Sequence, residues 1–184
     1  MGASVIARSA AEIAAAIGGA VVQGDASVRA GGVSIDSRTL NAGEAFFAIR
    51  GETHDGHAFI DRAAAGGASL AVIHESCALP PGMTVVQVAD TTSALGALAT
   101  DERNRSHYKV VAITGSSGKT TVRALTTAAL SARLKTASSV GNFNNQWGLP
   151  LSMLRLPPSI DVAVLELGMN HAGEIAALTR IAQP

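Results

Sequence analysis

Apolar residues recur along the chain in short runs separated by Gly, Pro, Asn and Asp, and the spacing within each run distinguishes helix from strand. Ser9 followed three residues later by Glu12 is a capping-box pattern ahead of Ile13, Ala14 and Ile17. Gly18 and Gly19 close it, which predicts a first helix. Residues 20–22 read as a short strand; another begins at 33–35 and ends at Asp36, Ser37 and Arg38. Residues 45–49 are apolar and partly aromatic, as a buried strand requires. A polar loop over 51–57 follows, then a helix over 59–65 stopped by Gly66 and Gly67. Strands at 70–73 and 84–88 flank a Pro80-Pro81-Gly82 turn, and the Ala- and Leu-rich run 91–104 predicts a helix.

The polar stretch 101–107 interrupts this pattern, which then restarts. The second series predicts a strand at 109–113, a helix at 120–133 and a short strand at 135–137. A loop rich in Gly and Asn leads to a helical stretch near 150–154, a strand at 161–165 and a last helix at 173–182. Strands alternating with helices imply an α/β fold with mainly parallel sheets, arranged as two domains over 1–106 and 107–184. A parallel sheet of three strands leaves an edge bare, so the second domain is expected to be incomplete.

Composition narrows the picture. The chain is 47% apolar but only 3% aromatic, so its core must be assembled from Ala, Val, Leu and Ile. Fourteen basic and fourteen acidic side chains cancel, which argues against nucleic-acid binding or attraction to anionic membranes; any phosphate recognition must be local. Cys77 is the single cysteine, which excludes an internal disulfide and a multi-thiolate metal site and reads as a small residue, buried or partly buried. Residues 1–8 show no signal-type apolar run, and no stretch of about 18 apolar residues occurs, so a soluble, cytoplasmic protein without membrane insertion is expected.

The most specific signal is a phosphate-binding loop. The apolar strand Val110, Val111, Ala112, Ile113 feeds Thr114, Gly115, Ser116, Ser117, Gly118, Lys119, Thr120 and Thr121, and a helix follows. Glycines and small residues let successive backbone N–H groups point into one cavity, while the helix N-terminus adds about half a positive charge. Lys119 would reach the outer phosphates of ATP, and the Thr120 hydroxyl would help to hold Mg2+. Ile113 stands where the general pattern has its first Gly. A metal-bound nucleotide also needs a carboxylate. Glu166 ends the apolar run 162–165, at the strand terminus where open α/β sheets bind ligands.

With this loop the chain resembles the Mur ligases, ATP-dependent amide-forming enzymes of peptidoglycan synthesis. The run Gly141, Asn142, Phe143, Asn144, Asn145, Gln146, Trp147, Gly148, Leu149, Pro150, Leu151 is similar to the Asn-rich loop of the MurF branch. So is the run Glu166, Leu167, Gly168, Met169, Asn170, His171, Ala172, Gly173, Glu174, Ile175. Upstream, Ser34 to Arg38 and Asp55, Gly56, His57 resemble a UDP-sugar domain shared by two Mur branches.

The resemblance implies a small N-terminal α/β domain for the UDP substrate, followed by the first part of a P-loop domain for ATP. It implies UDP-N-acetylmuramoyl tripeptide and D-Ala-D-Ala as substrates, joined through an acyl phosphate, with ATP and Mg2+ as cofactors. Lys119 and Glu166 would carry catalysis, with Gly115, Ser116, Ser117, Gly118, Thr120 and Thr121 binding ATP, and Thr120 with Glu166 holding the metal. Ser37, Arg38, Asp55, Gly56, His57, Asn142, Asn144, Asn145, Asn170 and His171 would face the other substrates. The pattern stops partway through the family's second domain, so the chain taken alone is not expected to ligate.

Blander readings stand beside these. Asp36 to Arg38 also fit a polar turn, His57 a satisfied structural histidine, the asparagines turn formers, and Asn170 a helix cap. Two other functions also fit the loop: a P-loop kinase or NTPase, and a non-catalytic module holding a UDP-sugar or nucleotide.

Overall fold

The computed structural model describes residues 7–139 and 141–184; most of the N-terminal segment 1–8 discussed above lies outside them. The chain forms two compact units that divide between Leu98 and Ala99.

In the first unit, β1 (Arg8–Ser9) leads into α1 (Ala10–Ile17). The Ser9 hydroxyl accepts from Glu12 N–H and the Glu12 carboxylate accepts from Ser9 N–H, so the capping box forms as its spacing predicts. Ala10, Ile13, Ala14 and Ile17 are the buried stripe of α1. The chain continues through β2 (Ala20–Gln23), β3 (Arg29–Ala30), β4 (Gly32–Ser34) and β5 (Glu44–Phe47). A 3-10 turn, Gly56–Phe59, runs into α2 (Ile60–Ala65), followed by β6 (Leu70–Ile73), β7 (Thr84–Gln87) and α3 (Thr91–Arg105). One five-stranded sheet has the order β2-β7-β6-β5-β4. Its last four strands are parallel and β2 is antiparallel to β7. The two-residue strands β1 and β3 pair separately.

Every residue of β5 and β6 is buried, because helices or loops cover both faces of the central strands. Phe46, Ala48, Ala71, Ile73 and Val85 pack with Ile60, Ala63 and Met83 on one face, and Cys77 lies half-buried against them. Phe46 and Phe47 are the large members of this aromatic-poor core.

The second unit contains the end of α3 and then β8 (Lys109–Ile113), α4 (Lys119–Ser131), β9 (Thr136–Ser138), α5 (Gly148–Leu154), β10 (Val162–Glu166) and α6 (Glu174–Ala182). Its sheet is wholly parallel in the order β8-β10-β9, which puts the last strand in sequence at the centre. β10 is accordingly buried throughout. The polar stretch 101–107 forms the last turn of α3 and the link to β8. Arg103 donates to the carbonyls of Ala182 and Gln183, where a cation meets the negative end of α6. Among the described residues no helix is long and apolar enough to cross a membrane.

Candidate active site

The register of the second sheet sets the site. β10 pairs with β8 so that Glu166 lies opposite Ile113, the last strand residue before the glycine loop, and Leu167 N–H donates to Ile113 O at 2.9 Å. The tip of the central strand therefore delivers a carboxylate to the mouth of the loop. Gly115 (φ 147°) and Gly118 (φ 74°) hold backbone conformations that side chains rarely adopt, and Gly118 is the N-cap of α4. Lys119 curls back and donates from Nζ to the Gly115 carbonyl at 2.7 Å.

Glu166 is 3% exposed and fully engaged. The Thr120 hydroxyl donates to Oε2 at 3.1 Å, and Asn144 Nδ2 donates to Oε1 at 2.9 Å. Glu166 N–H donates to Ser139 Oγ, and the Arg123 guanidinium is 3.4 Å from Oε2. A hydroxyl and a carboxylate side by side at a helix N-terminus are hard oxygen donors of the type Mg2+ accepts, so these residues fit that ion.

Of the other candidates in this unit, Asn145 serves the fold: its Oδ1 accepts from Trp147 and Gly148 N–H at the start of α5. Asn142, Asn170 and His171 are exposed. Helix capping by Asn170 does not occur; Gly173 is the N-cap of α6, and the Glu174 carboxylate reaches back to the Asn170 and His171 N–H groups. Those backbone bonds hold the Glu174 carboxyl below its usual range.

The first unit holds a second polar cluster. Because β4, β5 and β6 are parallel and in register, their C-terminal ends open on the same side of the sheet; residues leaving β5 and β6 meet there, while those leaving β4 pair with one another. Arg38 grips Asp36 with two parallel bonds, Nε to Oδ1 at 2.9 Å and Nη2 to Oδ2 at 2.7 Å. This fork drives the Asp36 carboxyl down to about 2. Ser37 lies half-buried between them in sequence. Burial disfavours the charge on Asp55. The His57 N–H, its imidazole and Arg50 outweigh that, and the carboxyl falls to about 2.

His57 is buried, with Nδ1 donating to Asp55 Oδ1 at 2.6 Å and Nε2 accepting from His74 N–H at 3.2 Å; these partners assign the tautomer. His74 stands edge-on to His57, and burial above all, with the positive charge of Arg50, lowers its pKa. His57, His74 and Glu75 bring ligand-type atoms within 4.8 Å of one another. His57 already uses both ring nitrogens, however, and Glu75 pairs with Arg50. Gly56 is required by space: a Cβ there would stand 2.7 Å from Ile49 N.

Sequence reasoning missed Arg123, Ser139 and Glu44. Arg123 was detectable, since three residues after Thr120 it shares that residue's helix face. Glu44 is buried on β5 and accepts from Asn41 N–H, a partnership with no sequence signal.

Two family models match consecutive parts of the chain: the Mur ligase family, catalytic domain, over residues 29–103, and the Mur ligase middle domain over residues 113–184. The UDP-N-acetylmuramoyl-tripeptide–D-alanyl-D-alanine ligase of Escherichia coli K12 is 44% identical over 152 residues, 83% of this chain and 33% of that protein. MurF from Acinetobacter baumannii superposes with a TM-score of 0.91 at 34% identity, over 98% of this chain and 40% of the other. MurF ligase from Thermotoga maritima in complex with ADP gives 0.74 at 31% identity, over 82% of this chain and 35% of the other. The chain spans about a third of the length of the curated relatives it matches.

Proposed function

The chain belongs to the Mur ligase family, and we propose that it carries the UDP-substrate and phosphate-loop portions of a ligase that adds D-Ala-D-Ala to UDP-N-acetylmuramoyl tripeptide using ATP. Residues 1–106 hold the UDP substrate and residues 107–184 begin the ATP domain. The requirement for ATP argues for the cytoplasm. In the reaction the tripeptide carboxylate attacks the γ-phosphate, forming an acyl phosphate and ADP. The amine of D-Ala-D-Ala then displaces phosphate through a tetrahedral intermediate.

Both steps need charge neutralised in place rather than a protein nucleophile. The backbone N–H groups of residues 115–121 and the start of α4 cradle the phosphates. Lys119 leaves the Gly115 carbonyl and takes the outer phosphate oxygens. Thr120 and Glu166 hold Mg2+, which when bound neutralises charge on those oxygens. Asn144 keeps the Glu166 carboxylate oriented. At the first unit's sheet edge, Ser37, Arg38 and the Asp55–Gly56–His57 turn border the UDP moiety. Asn142, exposed in the loop that carries Asn144, and Asn170 and His171, exposed shortly after Glu166 in sequence, are offered to the peptide.

The observation that carries this reading is the 3.1 Å approach of the Thr120 hydroxyl to the Glu166 carboxylate beside the glycine loop. Calorimetry with UDP-N-acetylmuramoyl tripeptide and with Mg2+-ATP tests it. The UDP compound is expected to bind the chain, and Lys119→Ala to weaken nucleotide binding without touching UDP-substrate affinity. In a full-length enzyme Lys119→Ala is expected to abolish ligation. Tight ATP binding with no response to the UDP compound would instead indicate a kinase or NTPase.

A further inference from the structure

Arg123 lies one turn beyond Thr120 on α4, with its side chain only 12% exposed. Its Nη1 donates to Ser139 Oγ at 3.2 Å and to the Gly141 carbonyl at 2.9 Å, and stands 3.4 Å from Glu166 Oε2. That carboxylate oxygen is the one that also receives the Thr120 hydroxyl. A guanidinium fixed by two neutral acceptors cannot withdraw when something else approaches Glu166. Its positive charge therefore stays within a few ångströms of any cation that Glu166 and Thr120 hold.

We propose that Arg123 is a positioning residue and resident counter-cation for Glu166, which makes the site a poor ligand for a bare divalent ion and a good one for an ion that arrives with polyphosphate. The inference rests on the reading of Thr120 and Glu166 as the nucleotide-metal site. Two considerations carry it. Glu166 is nearly sealed from water, so charge near it is weakly screened and a neighbouring cation counts for more than at the surface. The bonds to Ser139 and Gly141 also place the guanidinium by the fold rather than by Glu166 alone, so metal entry does not free it. The phosphates of a nucleotide bring the negative charge that offsets both Arg123 and the metal. Metal and nucleotide are then coupled ligands, each raising the affinity for the other.

The test measures Mn2+ affinity of the full chain, by electron paramagnetic resonance, with and without ADP, for wild type, Arg123→Gln and Arg123→Lys. Arg123→Gln is expected to tighten binding of Mn2+ alone by about tenfold or more. Arg123→Lys, which keeps the charge, is expected to stay near wild type. With ADP present the three proteins are expected to agree within about threefold, because loss of the cation favours the metal and disfavours the phosphates. An unchanged or weaker affinity of Arg123→Gln for bare Mn2+, in a protein with wild-type melting behaviour, overturns the proposal and leaves Arg123 a structural tie.

Should Arg123→Gln fail to fold, the wild-type protein decides. The Arg123 side-chain NMR signal is expected to move with Mg2+ plus ADP and to stay still with millimolar Mg2+ alone. Equal movement with Mg2+ alone refutes the idea. If wild type binds Mn2+ neither alone nor with ADP, the nucleotide-metal reading itself fails, and this inference with it.

Discussion

Gly168→Ala probes whether Asn144 holds the Glu166 carboxylate. A Cβ at residue 168 would lie 2.9 Å from Asn144 Cγ and Oδ1 and 3.0 Å from Nδ2, against the 3.4 Å at which ordinary contact begins. The Asn144 backbone cannot retreat freely, because its carbonyl accepts from Gly168 N–H at 2.8 Å. The amide must therefore swing away and give up its 2.9 Å bond to Glu166 Oε1. A hydrogen bond to a charged group contributes about 1.5–3 kcal/mol, so Gly168→Ala should cost that much. Asn144→Ala removes the same bond and should cost a similar amount.

In the Asn144→Ala background the new methyl group meets the space the amide has left. The double variant should then be hardly less stable than Asn144→Ala alone, a coupling of about 1.5–3 kcal/mol. Urea unfolding of the four proteins measures this, with changes in midpoint at constant slope read as stability. Costs that simply add would refute the reasoning, because the clash would then be with something other than the Asn144 amide.

Three further outcomes follow from the first unit. Asp55, depressed to about 2 when folded, contributes stability that is complete above its unfolded value near 4 and is lost as pH falls through about 2. Asp55→Asn should therefore lose stability at neutral pH and flatten the urea midpoint between about pH 4 and pH 2 relative to wild type, whereas parallel curves would deny the depressed carboxyl. Gly56→Ala would press a methyl group to within 2.8 Å of the Ala48 carbonyl carbon, where no flexible atom can yield, and should cost about 1–3 kcal/mol or prevent soluble expression. Thr91 is fully buried and donates to Ala48 O while meeting His74 Nδ1, so Thr91→Val, of equal volume, should cost about 1–3 kcal/mol in thermal unfolding through the groups it leaves unpaired.

What was legible in the sequence is what local chemistry determines. The capping box at Ser9, the Pro80-Pro81-Gly82 turn and the strand–glycine loop–helix at residues 109–131 each act over a few residues, and each appears in the structure where its pattern stands. The two-residue strands β1 and β3 escaped because an alternation of period two needs more than two positions to be visible. The antiparallel seating of β2 escaped as well, since strand direction depends on the path of the connecting chain and not on the residues of Ala20–Gln23.

The candidate site divides along the same line. Thr120 and Glu166 could be paired from sequence because a rule links the loop to the ends of neighbouring strands, whatever the separation along the chain. No such rule tells which donors complete the Glu166 shell. Asn144 was singled out as one of several asparagines in a loop; the Gly168 N–H to Asn144 O bond seats it so that its amide reaches Glu166, whereas the Asn145 side chain is consumed by α5. Arg123 lay within reach of a spacing argument, yet a charged residue on a helix is ordinarily a solvated one; its partial burial follows from the placement of Ser139 and Gly141 beside the helix. Residue type and spacing therefore disclosed the groups that act on a ligand. The groups that act on those groups depended on register, and register is a property of the assembled sheet.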